Sequence, residues 1–331
     1  MPAIAAHGLV KRFGPVAALD GIDLAVEAGS VLGLLGPNGA GKTTAVRILT
    51  TILKPDDGRA TVLGLDVVQN AEHVRAVIGL AGQYAAVDEN LTGRENLRLI
   101  GQLTHQPRRA LAARADELLE RFGLNGAAGR PVRTYSGGMR RRLDLAGALV
   151  HRPAVLFLDE PTTGLDPNGR SELWALIGQL VADGATVLLT TQYLEEADRV
   201  ADHIVVVDRG LIIAEGTSAG LKASLGSTVV EIEFADLSAA QRAAELITKI
   251  AATELLDGRT LAVKVPDKGQ AVQKVIRHLD ADNIVAESLA IREPTLDDVF
   301  LELTGRQAGP VQTAPILQTA PAGRRHEGSA R

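Results

Sequence analysis

Eight consecutive residues, Gly36-Pro37-Asn38-Gly39-Ala40-Gly41-Lys42-Thr43, have the make-up of a loop that wraps phosphate, and Thr44 follows them. Gly39 and Gly41 let the backbone curl until successive N–H groups point inward at anionic oxygens. Lys42 is the loop's only side-chain cation, with the reach to meet the β- and γ-phosphates of a nucleotide. The Thr43 hydroxyl suits Mg²⁺. The loop lies between a predicted buried strand, Val31–Leu35, and a helix predicted from 42 to about 53, so a helix N-terminus adds its dipole. An ordinary glycine-rich turn is the competing reading, and pattern plus context favour the phosphate loop.

Two further clusters carry chemistry. Val155-Leu-Phe-Leu-Asp159-Glu160 is an apolar run ending in two carboxylates. A buried strand ending in Asp holds a metal at its carboxyl edge, where α/β proteins place ligands. Asp159 would bind Mg²⁺ through water, and Glu160 would polarise an attacking water. Alone, such a run is as readily structural; behind a phosphate loop it becomes a strong signal. Tyr135-Ser136-Gly137-Gly138-Met139 precedes three arginines and an Ala/Leu-rich helix, making a second anion-binding helix start. A nucleotide has one γ-phosphate, so two such starts suggest two copies of the chain sharing each nucleotide. A Ser-capped helix after a glycine turn is the simpler alternative. Arg140, Arg141 and Arg142 read as a salt-bridged helix start or a contact for a partner loop. Trp174 reads as a packed aromatic, and the seven histidines show no metal-ligand spacing.

These groups need a scaffold, and the hydrophobic pattern supplies one. Residues 1 to about 220 alternate short apolar strands with amphipathic helices, the mark of α/β architecture. Continuous apolar runs at 155–158 and 186–189 are strands of a buried parallel sheet. Helices are predicted at 108–122, 170–183 and 194–201. Beyond about 226 the pattern changes to a β-α-β-α-β set: strands at 228–234, 260–265 and 284–291, helices at 238–252 and 269–279, then a short helix at 295–303. The expected division is 1–226, 227–305 and a disordered tail at 306–331, whose Pro/Ala/Gln/Gly-rich composition buries too little apolar surface to order itself.

Composition agrees with a globular protein. Of 331 residues, 46% are hydrophobic and 23% charged, so a packed core is within reach and wholesale disorder is excluded. The absence of cysteine excludes disulfides, thiol nucleophiles and Cys-bound zinc. The net charge of −5 speaks against a strongly basic nucleic-acid binder. The first residues carry no secretory leader pattern, and no apolar run reaches the ~18 residues of a membrane span. A role at a membrane would need another chain to supply the span.

In order, the phosphate loop, Gln83, Ser136-Gly137-Gly138, Leu158-Asp-Glu-Pro161 and Thr163-Gly-Leu-Asp166 resemble the nucleotide-binding subunits of ATP-binding-cassette (ABC) transporters. Segments 82–92, 134–142 and 190–197, with Leu296-Asp-Asp-Val-Phe300, look like the daunorubicin/doxorubicin-resistance type within that family. The resemblance implies a P-loop NTPase fold: a RecA-like core with a helical subdomain, then a small α+β C-terminal domain. It implies ATP sandwiched between two copies, on the phosphate loop of one and under Ser136, Gly137 and Gly138 of the other. By the same resemblance Phe13 stacks on adenine, Gln83 touches Mg²⁺ and senses the membrane partner, Asp166 belongs to the nucleotide-contacting loop, and Gln192 meets the γ-phosphate. The family more often has Leu and Gln where this chain has Tyr135 and Met139, and histidine where it has Gln192. Glutamine donates a hydrogen bond but carries no proton near neutral pH. The position is therefore read as positional, leaving Glu160 as the water-polarising group.

The expected function is an ATPase, with ATP and Mg²⁺, that powers export of a hydrophobic drug- or lipid-like compound. Its expected place is peripheral, on the cytoplasmic face of the cell membrane, and its expected partners are a second copy of itself and a separate transmembrane permease, with no nucleic acid. The permease contact is expected in the helical region at 84–135. A soluble ATPase of the same family acting on nucleic acid or ribosomes is the alternative, disfavoured by a single cassette without heptad runs or a basic tail. A catalytically dead module is disfavoured by the presence of Lys42, Asp159 and Glu160 together.

Overall fold

The computed structural model describes residues 2–82, 87–224, 228–265, 270–292 and 294–305. Gln83 and the 306–331 segment lie outside these residues, so the roles expected of them are not addressed by the structure.

The chain opens with β1 (Ile4–Phe13), β2 (Val16–Val26) and β3 (Val31–Leu35), then the 36–41 loop and α1 (Lys42–Leu49). Helix α1 ends short of the expected 53 because Thr51 turns to a left-handed φ of 66° and the Thr50 hydroxyl donates back to the Val46 carbonyl at 2.8 Å. β4 (Asp57–Val62), β5 (Leu65–Asp66), α2 (Ala71–Val77) and β6 (Ile78–Ala81) follow. β2, β1, β4 and β5 form an antiparallel sheet in that order. Simple strand–helix alternation did not anticipate this sheet, because consecutive hairpin-like strands carry the same apolar content as parallel ones.

A helical subdomain comes next: α3 (Gly93–Leu103), α4 (Arg108–Arg121) and α5 (Gly137–Ala148). The chain then returns to the core through β7 (Val155–Asp159), α6 (Pro167–Ala182), β8 (Thr186–Thr191), α7 (Leu194–Val200), β9 (His203–Asp208), β10 (Leu211–Gly216) and α8 (Ser218–Ser224). The central sheet has the order β10-β9-β3-β8-β7-β6, with only β10 antiparallel to its neighbour. All residues of β3, β7 and β8 are buried. Alternate residues serve opposite faces, as a strand's period of two requires. Val155, Phe157 and Leu188 join a core with α1 and the antiparallel sheet, while Leu156, Leu158, Val187 and Leu189 join a core with α5 and α6.

The last part holds β11 (Thr228–Glu233), α9 (Leu237–Ile247), β12 (Ala252–Leu255), β13 (Thr260–Val265), α10 (Gln270–Ala281), β14 (Ser288–Arg292) and α11 (Leu296–Thr304). Its antiparallel sheet has the order β12-β13-β11-β14, so the chain runs β-α-β-β-α-β in the ferredoxin-like pattern. This adds one strand to the set expected from sequence. The helix predicted to 252 ends at Ile247, and Ala252 pairs with Lys264 where the helix end was expected. The final strand starts at Ser288 rather than 284, because the Ile284 N–H closes α10 on the Leu279 carbonyl at 2.9 Å and Ile284 is buried. α11 joins the two parts: its Leu296, Val299 and Phe300 are buried with Leu35, Leu194, Ala197 and Leu221 of the nucleotide-loop part. Among the described residues no helix is long and apolar enough to cross a membrane.

Candidate functional site

Parallel strands β3, β8, β7 and β6 end side by side. Register pairs Leu35 with Thr191, Thr190 with Asp159, and Leu158 with Ala81. The residues that follow, Gly36, Gln192, Glu160 and Gly82, therefore share one carboxyl edge of the sheet, the place where open α/β sheets bind ligands.

The 36–41 loop requires glycine at Gly41. Its φ is 115°, and a Cβ there would meet the Ala18 carbonyl oxygen at 2.4 Å. The loop thus lies directly on β2, with Ala40 and Lys42 buried and Asn38 and Gly39 exposed. The Gly210 N–H donates to the Ala40 carbonyl at 2.9 Å, tying the loop to the β9–β10 turn. Lys42 is 4% exposed, and its Nζ donates to the carbonyls of Gly36 at 2.7 Å and Pro37 at 3.1 Å. Burial pushes its ammonium below the ordinary lysine value, opposed by the facing Glu160 and Asp159 carboxylates.

Four predicted side chains converge here. Lys42 Nζ lies 3.6 Å from Glu160 Oε1. The Thr43 hydroxyl donates to Asp159 Oδ1 at 3.2 Å. Both carboxylates are buried. Glu160 has a left-handed backbone with φ 49°, a strained conformation for a residue other than glycine. It is held by its own N–H donating to the Thr190 hydroxyl at 3.0 Å and by the Thr163 hydroxyl donating to Oε2 at 3.4 Å. Gln192 is half-buried just after β8, and Pro37, Thr43 and Thr44 are half-buried.

Ser136, Gly137, Gly138 and Asp166 gather elsewhere. Ser136 caps α5, accepting from the Met139 N–H at 3.2 Å, and Asp166 caps α6, accepting from the Gly169 N–H at 2.9 Å. All four line a cavity of about 370 Å³, whose walls include no residue of 36–44. Phe13 ends β1, 51% exposed, with Lys11 Nζ 5.9 Å from its ring centre, so it is not a core aromatic. His203 begins β9 and faces solvent.

Three residues of the site escaped the sequence reading. Thr190 is fully buried and donates to Asp159 Oδ1 at 2.5 Å. Arg141, read as one of three equivalent arginines, is a buried strut. It donates from Nε to the Pro161 carbonyl at 2.7 Å, from Nη2 to the Asp159 carbonyl at 3.3 Å, and from Nη1 to Asp144 at 3.2 Å and to the Gly82 carbonyl. Its flanking arginines make the exposed ion pairs expected of a salt-bridged helix start, Arg140 with Glu89 and Arg142 with Glu172. Glu196, 2% exposed on α7, accepts from the hydroxyls of Thr162 and Thr191. Burial raises its carboxyl above the usual range, opposed by those two hydrogen bonds. In sequence Glu196 stood only within the family-like segment 190–197, with no role of its own. Trp174 is half-buried under the Arg199 guanidinium, 4.9 Å from the ring centre.

Known proteins resemble this chain along most of its length. The ABC transporter family pattern matches residues 19–163, and the pattern of the DrrA1-3-like ATP-binding protein C-terminal domain matches 216–304. The daunorubicin resistance ATP-binding protein DrrA3 of Streptomyces coeruleorubidus is 54% identical over 303 residues, 92% of this chain and 96% of that protein. The doxorubicin resistance ATP-binding protein DrrA of Mycobacterium tuberculosis is 45% identical, covering 91% and 93%. The Nod factor export ATP-binding protein I of Ralstonia nicotianae is 38% identical, covering 92% and 95%. Among solved structures, the ADP conformation of MJ1267, an ATP-binding cassette of an ABC transporter, is 30% identical with a TM-score of 0.59, covering 66% of this chain and 91% of that one.

Proposed function

The chain belongs to the ATP-binding subunits of ABC transporters, and from that premise we propose that it hydrolyses ATP to drive export of a hydrophobic drug- or lipid-like compound through a separate membrane permease. The observation that carries the proposal is the convergence of Lys42, Thr43, Asp159 and Glu160 at one carboxyl edge of a parallel sheet, beside a loop that admits only glycine at position 41.

In this reading the N–H groups of 36–44 cradle the phosphates of ATP, the substrate, and Lys42 neutralises the β- and γ-phosphates. Phe13, exposed at the end of its hairpin strand, offers a face for the adenine. Glu160 accepts a proton from, and orients, the attacking water. Gln192 donates to the γ-phosphate without exchanging a proton. The donor set fits Mg²⁺: the Thr43 hydroxyl and Asp159 carboxylate are hard oxygens 3.2 Å apart, and Gln83 joins them by family resemblance. When bound, the ion would neutralise charge on the phosphate oxygens.

The Ser136-Gly137-Gly138 helix start and Asp166 lie off the phosphate loop of their own chain, which supports a reading in which they close on the nucleotide of a second copy. ATP then closes the dimer on the cytoplasmic side, hydrolysis reopens it, and the membrane-spanning permease moves between two access states. We divide the chain at 226 into a cassette and an accessory domain ending at 305.

Lys42→Ala tests the phosphate assignment. It is expected to abolish ATP binding in a titration monitored by calorimetry, with the folded state retained by circular dichroism. Binding within twofold of wild type would remove Lys42 from the site.

A further inference from the structure

Glu196 is a buried carboxylate that the reaction described above does not use. One of its oxygens accepts from the hydroxyl of Thr162, in the segment that leads from Glu160 to Asp166. The other accepts from the Thr191 hydroxyl at 2.5 Å. That same hydroxyl oxygen accepts the N–H of Tyr193 at 2.9 Å. Gln192 is thus bracketed on both sides by a hydroxyl that Glu196 holds. A second tie runs parallel to the first. Arg170 lies 4.7 Å over the Tyr193 ring and donates from Nε to the Leu165 carbonyl at 3.2 Å. Apolar side chains of the same volume would stabilise this junction at least as well as a buried carboxylate. What a carboxylate adds is direction: two acceptor oxygens that fix two hydroxyls relative to one another.

We propose that Glu196 is a positioning residue for Gln192, locking it in register with the 162–166 segment so that movement of either is transmitted to the other. The proposal rests on the reading of Gln192 as the γ-phosphate contact. Its consequence is that the loop reaching towards the second copy and the side chain reaching towards the phosphate move as one unit.

The test is a double-mutant cycle in the full chain, measuring MgATP hydrolysis and ATP affinity. Glu196→Ala is expected to lower kcat between about 10- and 100-fold, as misplacement by a remote change does, with ATP affinity within about twofold. In a Gln192→Ala background the same change is expected to have under about a twofold further effect. Glu196→Gln, which keeps one acceptor oxygen, is expected to recover part of the loss. Trp174, the chain's single tryptophan, lies at the α6–α7 junction; ATP is expected to change its fluorescence in the wild-type chain, and Glu196→Ala is expected to abolish that change. Should Glu196→Ala fail to fold, Thr162→Val removes only the hydroxyl of one arm and is expected to show the same coupling. Equal loss of kcat in both backgrounds, or wild-type kcat with a wild-type fluorescence response, overturns the proposal. If either result accompanies a Glu160→Gln chain that no longer hydrolyses ATP, the ATPase reading stands and only the positioning role falls.

Discussion

Arg141 shows how single residues shape the site without touching a reactant. Its side chain is 8% exposed, and the guanidinium joins the ends of β6 and β7 to the start of α5. Burial draws its pKa below the usual arginine value, with the Asp144 and Asp159 charges opposing. Arg141→Met keeps the stem but removes the cation facing Asp144 and the donor to three carbonyls. It is expected to cost about 3 kcal/mol of stability, the scale of breaking a buried ion pair, measured by urea denaturation, and to lower ATP hydrolysis. A loss no larger than an exposed ion pair's ~0.5 kcal/mol would make the strut incidental. Lys42, Thr43, Asp159 and Glu160 were legible in sequence because each lies next to its motif along the chain. Thr190, Arg141 and Glu196 were not, because their partners are 31, 20 and 34 residues away and are brought close only by the register of β7 on β8 and the packing of α5 and α7.

At the scale of elements, α11 joins the accessory part to the cassette by two kinds of contact. Its apolar face packs on Leu35 and α7, and its polar face is tied to the accessory sheet. Thr295 caps it in a reciprocal box with Asp298, and Asp298 receives the Arg292 guanidinium at 2.6 Å. Desolvation alone would raise the Asp298 carboxyl, but the bonds from Arg292 and Thr295 outweigh it and hold the carboxyl below the usual aspartate value. A depressed folded-state pKa stabilises the fold above the unfolded value and ceases to do so as pH falls through the folded one. Asp298→Asn is therefore expected to cost about 2 kcal/mol at pH 7. The gap to wild type should shrink once pH drops below about 4. Chemical denaturation at the two pH values checks it, and a gap that widened in acid would reverse the sign of the argument. Sequence periodicity found most of these elements. It missed β12 because four residues between a helix end and a turn carry too short a pattern to separate from a helix tail.

For the whole molecule, the separation of the Ser136 and Asp166 cavity from the phosphate loop is the fact with the widest consequence. The phosphate loop and its carboxylates occupy one sheet edge, and the cavity of Ser136 and Asp166 is walled by other residues. Both helix N-termini, at Lys42 and at Ser136, were legible in sequence, as was the change of pattern near 226. The ferredoxin-like order of the accessory sheet and its attachment through α11 were not, since they depend on which strands neighbour one another. The most direct measurement is light scattering of the Glu160→Gln chain with and without MgATP, paired with a phosphate-release assay. The account predicts a species of twice the chain's mass on adding MgATP, with hydrolysis reduced about 100-fold or more. A chain that stays monomeric with ATP bound, or that hydrolyses ATP at the wild-type rate, would contradict it.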